Sequence, residues 1–231
     1  MRTFGRAAVF IALAYGFVFG QALADTAPTY SITSLGSLSG GYSAAYGINE
    51  SGTVVGHSLN AGTGRLEATI WAGSGPQSLG FEGLARAVNN SGTVVGETGL
   101  AVSVQNPNGR AFMWNAGVYT DLGDLGGAFA GAYDINDAGQ VTGFAFTPPG
   151  PTPAVQFANA FLYEDGEMSN LGTVSSPTGY SRGHGINAAG EVAGRASGVD
   201  FADSDKHMTA WDADGEVSYN PSGVGNYSTA Q

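Results

Sequence analysis

The sequence predicts an all-β fold: a β-propeller-like array of about four four-stranded antiparallel repeats, incomplete as a ring, with a β-helix or other solenoid as the next reading and a long meander sandwich third. Three observations carry this. Glycine occurs 38 times in 231 residues, among aromatic and β-branched residues, as short strands joined by tight turns require. No heptad pattern or long amphipathic helical stretch stands out. Nearly the same words return four times, as "AYGINESGTVVG" (45–56), "ARAVNNSGTVVG" (85–96), "AYDINDAGQVTG" (132–143) and "GHGINAAGEVAG" (183–194).

The first element along the chain stands apart from the repeats. Arg2 and Arg6 precede an apolar run, and Ala22–Ala24 form a small-x-small cleavage site before Asp25. That is the anatomy of a signal peptide over residues 1–24, and it predicts a secreted, periplasmic or cell-surface protein with no membrane span after cleavage. An N-terminal anchor is the competing reading, because the apolar run approaches spanning length. Cleavage leaves 6 basic against 19 acidic side chains and moves the net charge from −11 to −13. Such a chain is repelled by phosphate backbones, which argues against nucleic-acid binding. The chain has no cysteine, so thiolate catalysis and thiolate metal sites are excluded.

The repeat domain then runs over 25–231, with units near 29–80, 81–126, 127–172 and 173–222 and the start of a fifth at 223–231. Each unit opens on a hairpin. Its recurring residues are Asn49, Asn89, Asn136 and Asn187, each followed three positions later by Gly52, Gly92, Gly139 or Gly190. The Asn side chain accepts backbone hydrogen bonds from residues ahead of it, and the Gly takes positive φ, so these eight residues read as turn hardware. A second Gly closes each motif at 56, 96, 143 and 194, where the lack of a side chain lets another backbone approach, as crowding near a central axis would require. A third strand follows as "EATIW" (67–71), "RAFMW" (110–114), "NAFLY" (159–163) and "MTAW" (208–211), then a Gly turn. The fourth runs into "SLG" (78–80), "DLGDLGG" (121–127) or "NLG" (170–172).

This cycle of Gly-Ile-Asn, Ala-Phe-x-Trp and Leu-Gly motifs resembles the HAF-repeat family of bacterial extracellular proteins, over residues 29–231. The family's eponymous His is replaced by Arg110 and Asn159, so no role of that His carries over. The resemblance implies a secreted repeat protein and no catalytic residue set. The C-terminal "GNYSTAQ" repeats the words that precede each Asn, so a fifth Asn is expected near position 234, as in the front part of a longer protein. The competing reading is a complete four-unit chain closed by pairing with "TYSITSLG".

In an antiparallel meander the Asn-x-x-Gly turns and the third-to-fourth-strand turns share one face. The other face carries loops that differ in length and chemistry, and binding is expected there. The candidate site on that face is the charged loop with Asp203, Asp205, Lys206 and His207. Asp212-Ala213-Asp214-Gly215 has the ligand types of a calcium loop, but it stands where other units have short Gly turns, and the turn is the preferred reading. No cofactor is expected, with calcium as the alternative. The functional expectation is a secreted, non-catalytic binding or scaffolding module whose partner is an extracellular glycan or surface protein. The alternatives are a polysaccharide-acting hydrolase or lyase completed by further repeats, and a structural envelope component.

Overall fold

Short runs of β-branched and aromatic residues between tight turns give strands and no helices among the residues described, which in this computed structural model are 30–99, 109–148, 157–173, 179–196 and 207–212. The chain divides into two compact units, Met1–Ser34 and Leu35–Gln231. In the first, residues 30–34 are described and form no helix or strand. The signal peptide expected at 1–24 lies outside the described residues.

Every strand among the described residues belongs to the second unit. One antiparallel sheet runs in sequence order through β1 (Ser43–Ile48), β2 (Val54–Asn60), β3 (Arg65–Trp71), β4 (Pro76–Val88), β5 (Val94–Thr98), β6 (Ala111–Asn115) and β7 (Val118–Asp121). A second holds β8 (Ala130–Ile135), β9 (Val141–Phe146), β10 (Ala158–Glu164) and β11 (Glu167–Gly172). The third holds β12 (Ser181–Ile186), β13 (Val192–Ala196) and β14 (His207–Trp211). None of the sheets closes into a barrel. The first sheet contains two repeats because β4 belongs to both. Its first half pairs with β3, and from Gly83 to Val88 it pairs with β5.

Two-residue turns complete the hairpins at the far end of repeats two and three. Ala116 and Gly117 both have positive φ, as do Asp165 and Gly166, which is the geometry that matches strand twist in a two-residue hairpin.

Three apolar cores lie between repeats. Val55 of repeat one packs with Ala85, Val88, Val94 and Phe112 of repeat two. Val95 and Ala111 of repeat two pack with Ile135, Val141 and Phe161 of repeat three. Ala160 and Leu162 of repeat three meet Val192 and Trp211 of repeat four. Each repeat therefore stacks on the next, and fully burying a Val or Phe at such a junction contributes about 1.5–3 kcal/mol.

The recurring Asn holds the stack together. Its Oδ1 accepts the backbone N–H four residues on, at 2.9 Å for Thr53 and Thr93 and 3.0 Å for Gln140 and Glu191. In the first three repeats its Nδ2 reaches the next repeat. Asn49 donates to the Asn89 carbonyl at 3.0 Å, Asn89 to the Asn136 carbonyl at 3.1 Å, and Asn136 to the Asn187 carbonyl at 3.0 Å. One side chain thus closes its own turn and staples it to the next. Asn89 is 6% exposed, so water does not replace a lost partner. Asn89→Asp keeps the acceptor and removes the donor, and is expected to cost about 1–2 kcal/mol, with Asn89→Ala costing more. Urea unfolding checks this; equal midpoints for Asn89→Asp and the parent would mean that the inter-repeat bond contributes nothing.

Candidate functional site

The closing glycines create the site. Gly56 lies opposite Ala45, Gly96 opposite Ala85, Gly143 opposite Ala132 and Gly194 opposite Gly183. A Cβ at any of the four would overlap a backbone carbonyl, that of Ala44, Leu84, Gly131 or Arg182. A backbone does approach, then, but it is that of the paired first strand of the same repeat. The first strand is pressed in because it carries a β-bulge, and the register slips at the same place in all four repeats. The residues skipped are Tyr46, Arg86, Tyr133 and His184. A bulge re-aims its side chain, and four bulges in register build one row.

The row is continuous. The Arg86 guanidinium lies 5.1 Å from the Tyr46 ring centroid and 5.5 Å from that of Tyr133. Tyr133 stacks on His184 at 5.4 Å, with 13° between planes. The residue after each closing glycine forms a second tier: His57 lies 5.4 Å from Tyr46, Glu97 pairs with Arg86, and Phe144 lies 5.3 Å from Tyr133. Arg195 is the fourth member of that tier, and its charge acts on His184.

Charge is distributed unevenly along the row. Arg86 is neutralised by Glu97, which is 3% exposed and also takes a bond from Arg86 Nε at 3.2 Å. Among the described residues, Arg182 and Arg195 have no carboxylate partner. They lie directly opposite each other in the β12–β13 register, where like charges repel. Arg182 rests 4.4 Å from the Phe144 centroid and donates from Nη1 to the Tyr133 hydroxyl at 3.3 Å, and Arg195 lies 5.9 Å from the Tyr180 centroid. The Nε of both is buried with no hydrogen-bond partner.

Burial first, and these arginines second, hold the His184 imidazole below its ordinary range. His57 is held down by burial and then by Arg86, and neither of its ring nitrogens has a hydrogen-bond partner. The unfolded chain protonates His57 near its ordinary value of 6.5, whereas the folded chain resists the proton. His57 therefore stabilises fully above that value, and the contribution is lost as the pH falls below it. The thermal midpoint is expected to drop between pH 7.5 and 5.5, and to drop less in His57→Phe, which keeps the ring contacts with Tyr42 and Tyr46. An identical drop in both proteins would exclude His57 as the source.

In the first three repeats, polar pairs tie the start of the third strand to the fourth-strand segment. Ser78 Oγ donates to Glu67 at 2.6 Å and holds that carboxyl low, with Asn60 and Thr63 assisting. Arg110 pairs with Asp121 at 3.4 Å and hydrogen-bonds Asp124, which holds Asp124 low. Asn159 donates to Asn170 at 3.1 Å. Glu67, Arg110 and Asn159, at the same place in their repeats, thus each form a different polar clasp.

Three of the eight turn residues, Asn49, Asn89 and Asn136, line an open depression of about 350 Å³, together with Ile48, Val88, Ile135 and Ile186. Gly52, Gly92, Gly139 and Gly190 have φ of 81°, 83°, 87° and 85°. Of the candidate loop, Asp203, Asp205 and Lys206 lie outside the described residues, and His207 opens β14 opposite Ala196. Residues 213–215 of the calcium-like turn also lie outside them. Among the described residues, no group of three or more His, Cys, Asp or Glu side chains is placed to hold a metal ion, and no helix is long and apolar enough to cross a membrane. The row itself escapes a sequence reading based on invariance. Its signal is the position three residues before each Asn, which is filled by a large aromatic or basic residue every time.

Comparison with family models, curated proteins and solved structures finds no match for this chain.

Proposed function

We propose that the chain is a secreted, non-catalytic repeat module that binds an acidic glycan, its repeats being consecutive blades of a propeller-like array of the HAF-repeat kind. One observation carries the ligand class. Arg182 and Arg195 face each other with no carboxylate partner among the described residues. An anion would relieve their repulsion, and a sugar carboxylate supplies one in the planar form that a guanidinium fork fits. The Tyr133 and Tyr180 rings beside the arginines supply the flat apolar surface that a sugar ring packs on.

Titration calorimetry with an oligouronate and a neutral oligosaccharide of equal length tests this reading. The acidic ligand is expected to bind, more weakly as salt rises, and Arg195→Gln is expected to weaken it at least about tenfold. Equal binding of the neutral sugar, or no binding of the acidic one, would overturn the ligand class. Release of shortened product would overturn the non-catalytic reading.

A further inference from the structure

Arginines stand at two neighbouring places along the row, and their charges are handled in opposite ways. Arg86 is cancelled from beneath. Its Nε and Nη2 both donate to Glu97 Oε1, the first at 3.2 Å. The Arg86 side chain is 29% exposed and that of Glu97 4%, so a molecule lying on the row meets the guanidinium and not the carboxylate. The other oxygen of Glu97 fills the space over Gly131 of repeat three, where an added Cβ would stand 2.6 Å from it. The glycine thus makes room for the carboxylate that cancels Arg86. Arg182 and Arg195 have no such carboxylate among the described residues.

Tyr133 stands between the two places. The Arg86 guanidinium lies 5.5 Å from its ring centroid, and Arg182 donates to its hydroxyl at 3.3 Å. One ring therefore separates a cancelled cation from an uncancelled pair, and consecutive sugars of one chain would span it. Charge decides what each place accepts. A carboxylate arriving at Arg86 would compete with Glu97, and by winning it would strand that buried carboxylate without its counter-charge. A hydroxyl oxygen requires no such exchange. Glu97 engages Nε and Nη2 and leaves Nη1 free to donate to it. Tyr46, 46% exposed and 5.1 Å from the guanidinium, borders the same place on its other side.

We propose that the glycan alternates acidic and neutral sugars, with a neutral sugar at Arg86 beside an acidic one at Arg182 and Arg195, and that Glu97 sets this order. The inference rests on the acidic-glycan reading above and adds to it the sequence of sugars and the residue that reads it. Glu97 acts through Arg86, so it is a positioning residue for specificity and not a ligand contact.

Titration calorimetry with three oligosaccharides of equal length tests this: one alternating uronate with neutral hexose, one of uronate throughout and one neutral throughout. The parent is expected to bind the alternating chain at least about fivefold more tightly than the all-uronate chain. Glu97→Gln keeps an acceptor for Arg86 and uncovers its charge. It is expected to reverse the order, with the all-uronate chain gaining at least about tenfold. A purely structural role of Glu97 would instead weaken both acidic chains together and leave their order unchanged. The order on the parent is read without the variant, so it decides the matter where Glu97→Gln does not fold. Equal affinity of the parent for the two acidic chains, or a folded variant that keeps the parent's order, would overturn the inference and leave the acidic-glycan reading standing. Failure of both acidic chains to bind the parent would overturn that reading and the inference with it.

Discussion

Gly96→Ala is expected to destabilise the protein by about 3 kcal/mol or more, a large effect for one methyl group. The added Cβ would overlap the Leu84 carbonyl oxygen and stand 2.9 Å from Cε1 of Phe112. Neither neighbour has room to move. The carbonyl is fixed by the bulge that presents Arg86, and Phe112 is fully buried in the core between the first two repeats. Gly92→Ala is the contrasting control. Nothing lies within 4 Å of a Cβ there, and the cost is the positive φ of 83° alone, about 1–2 kcal/mol. Denaturant unfolding of the two variants should rank them in that order. If Gly96→Ala proved as stable as Gly92→Ala, the bulge would have to relax without loss of packing, and the rigidity argued for the row would not hold.

The second large effect is expected at the Arg86–Glu97 pair. The Glu97 side chain is 4% exposed, and Arg86 is its cationic partner. Arg86→Met keeps most of the volume between Tyr46 and Tyr133 but leaves a carboxylate buried without its counter-charge. A loss of about 3–5 kcal/mol is expected, since removing one partner of a buried pair strands the other. Replacing Glu97 by Gln in the same chain should restore part of that loss, because an amide needs no counter-charge. A double-mutant cycle on unfolding free energies reads the coupling directly. Additive losses would show that the two side chains act independently and that Arg86 serves through its stacking on the tyrosines alone.

The turn of each repeat was legible because its chemistry is local. An Asn oxygen that accepts from four residues ahead, and a glycine at positive φ, both act within the same five residues of chain. The second use of the same Asn was not legible, because its acceptor lies 40, 47 or 51 residues away. The closing glycines illustrate the boundary between the two. That a backbone approaches Gly56 follows from the residue type, but which backbone approaches depends on the bulge, and a bulge leaves no fixed residue in the sequence. Tyr46, Arg86, Tyr133 and His184 share a place and a size but no functional group, so a search for invariant residues passes over them. The charge imbalance at Arg182 and Arg195 was equally hidden, because their opposition depends on strand register.

The shared strand β4 has a consequence for how the chain divides. Repeats two and three are joined through the segment after Asp121, outside any strand, so a cut there leaves both sheets whole. Between repeats one and two no such seam exists, because the residues that end one ladder at Glu82 begin the next at Gly83. Peeling away the first repeat would strip hydrogen bonds from the same strand on which the second is nucleated. The first two repeats therefore form a single cooperative element, and the smallest piece of this end of the protein that could stand as a folding unit is a pair.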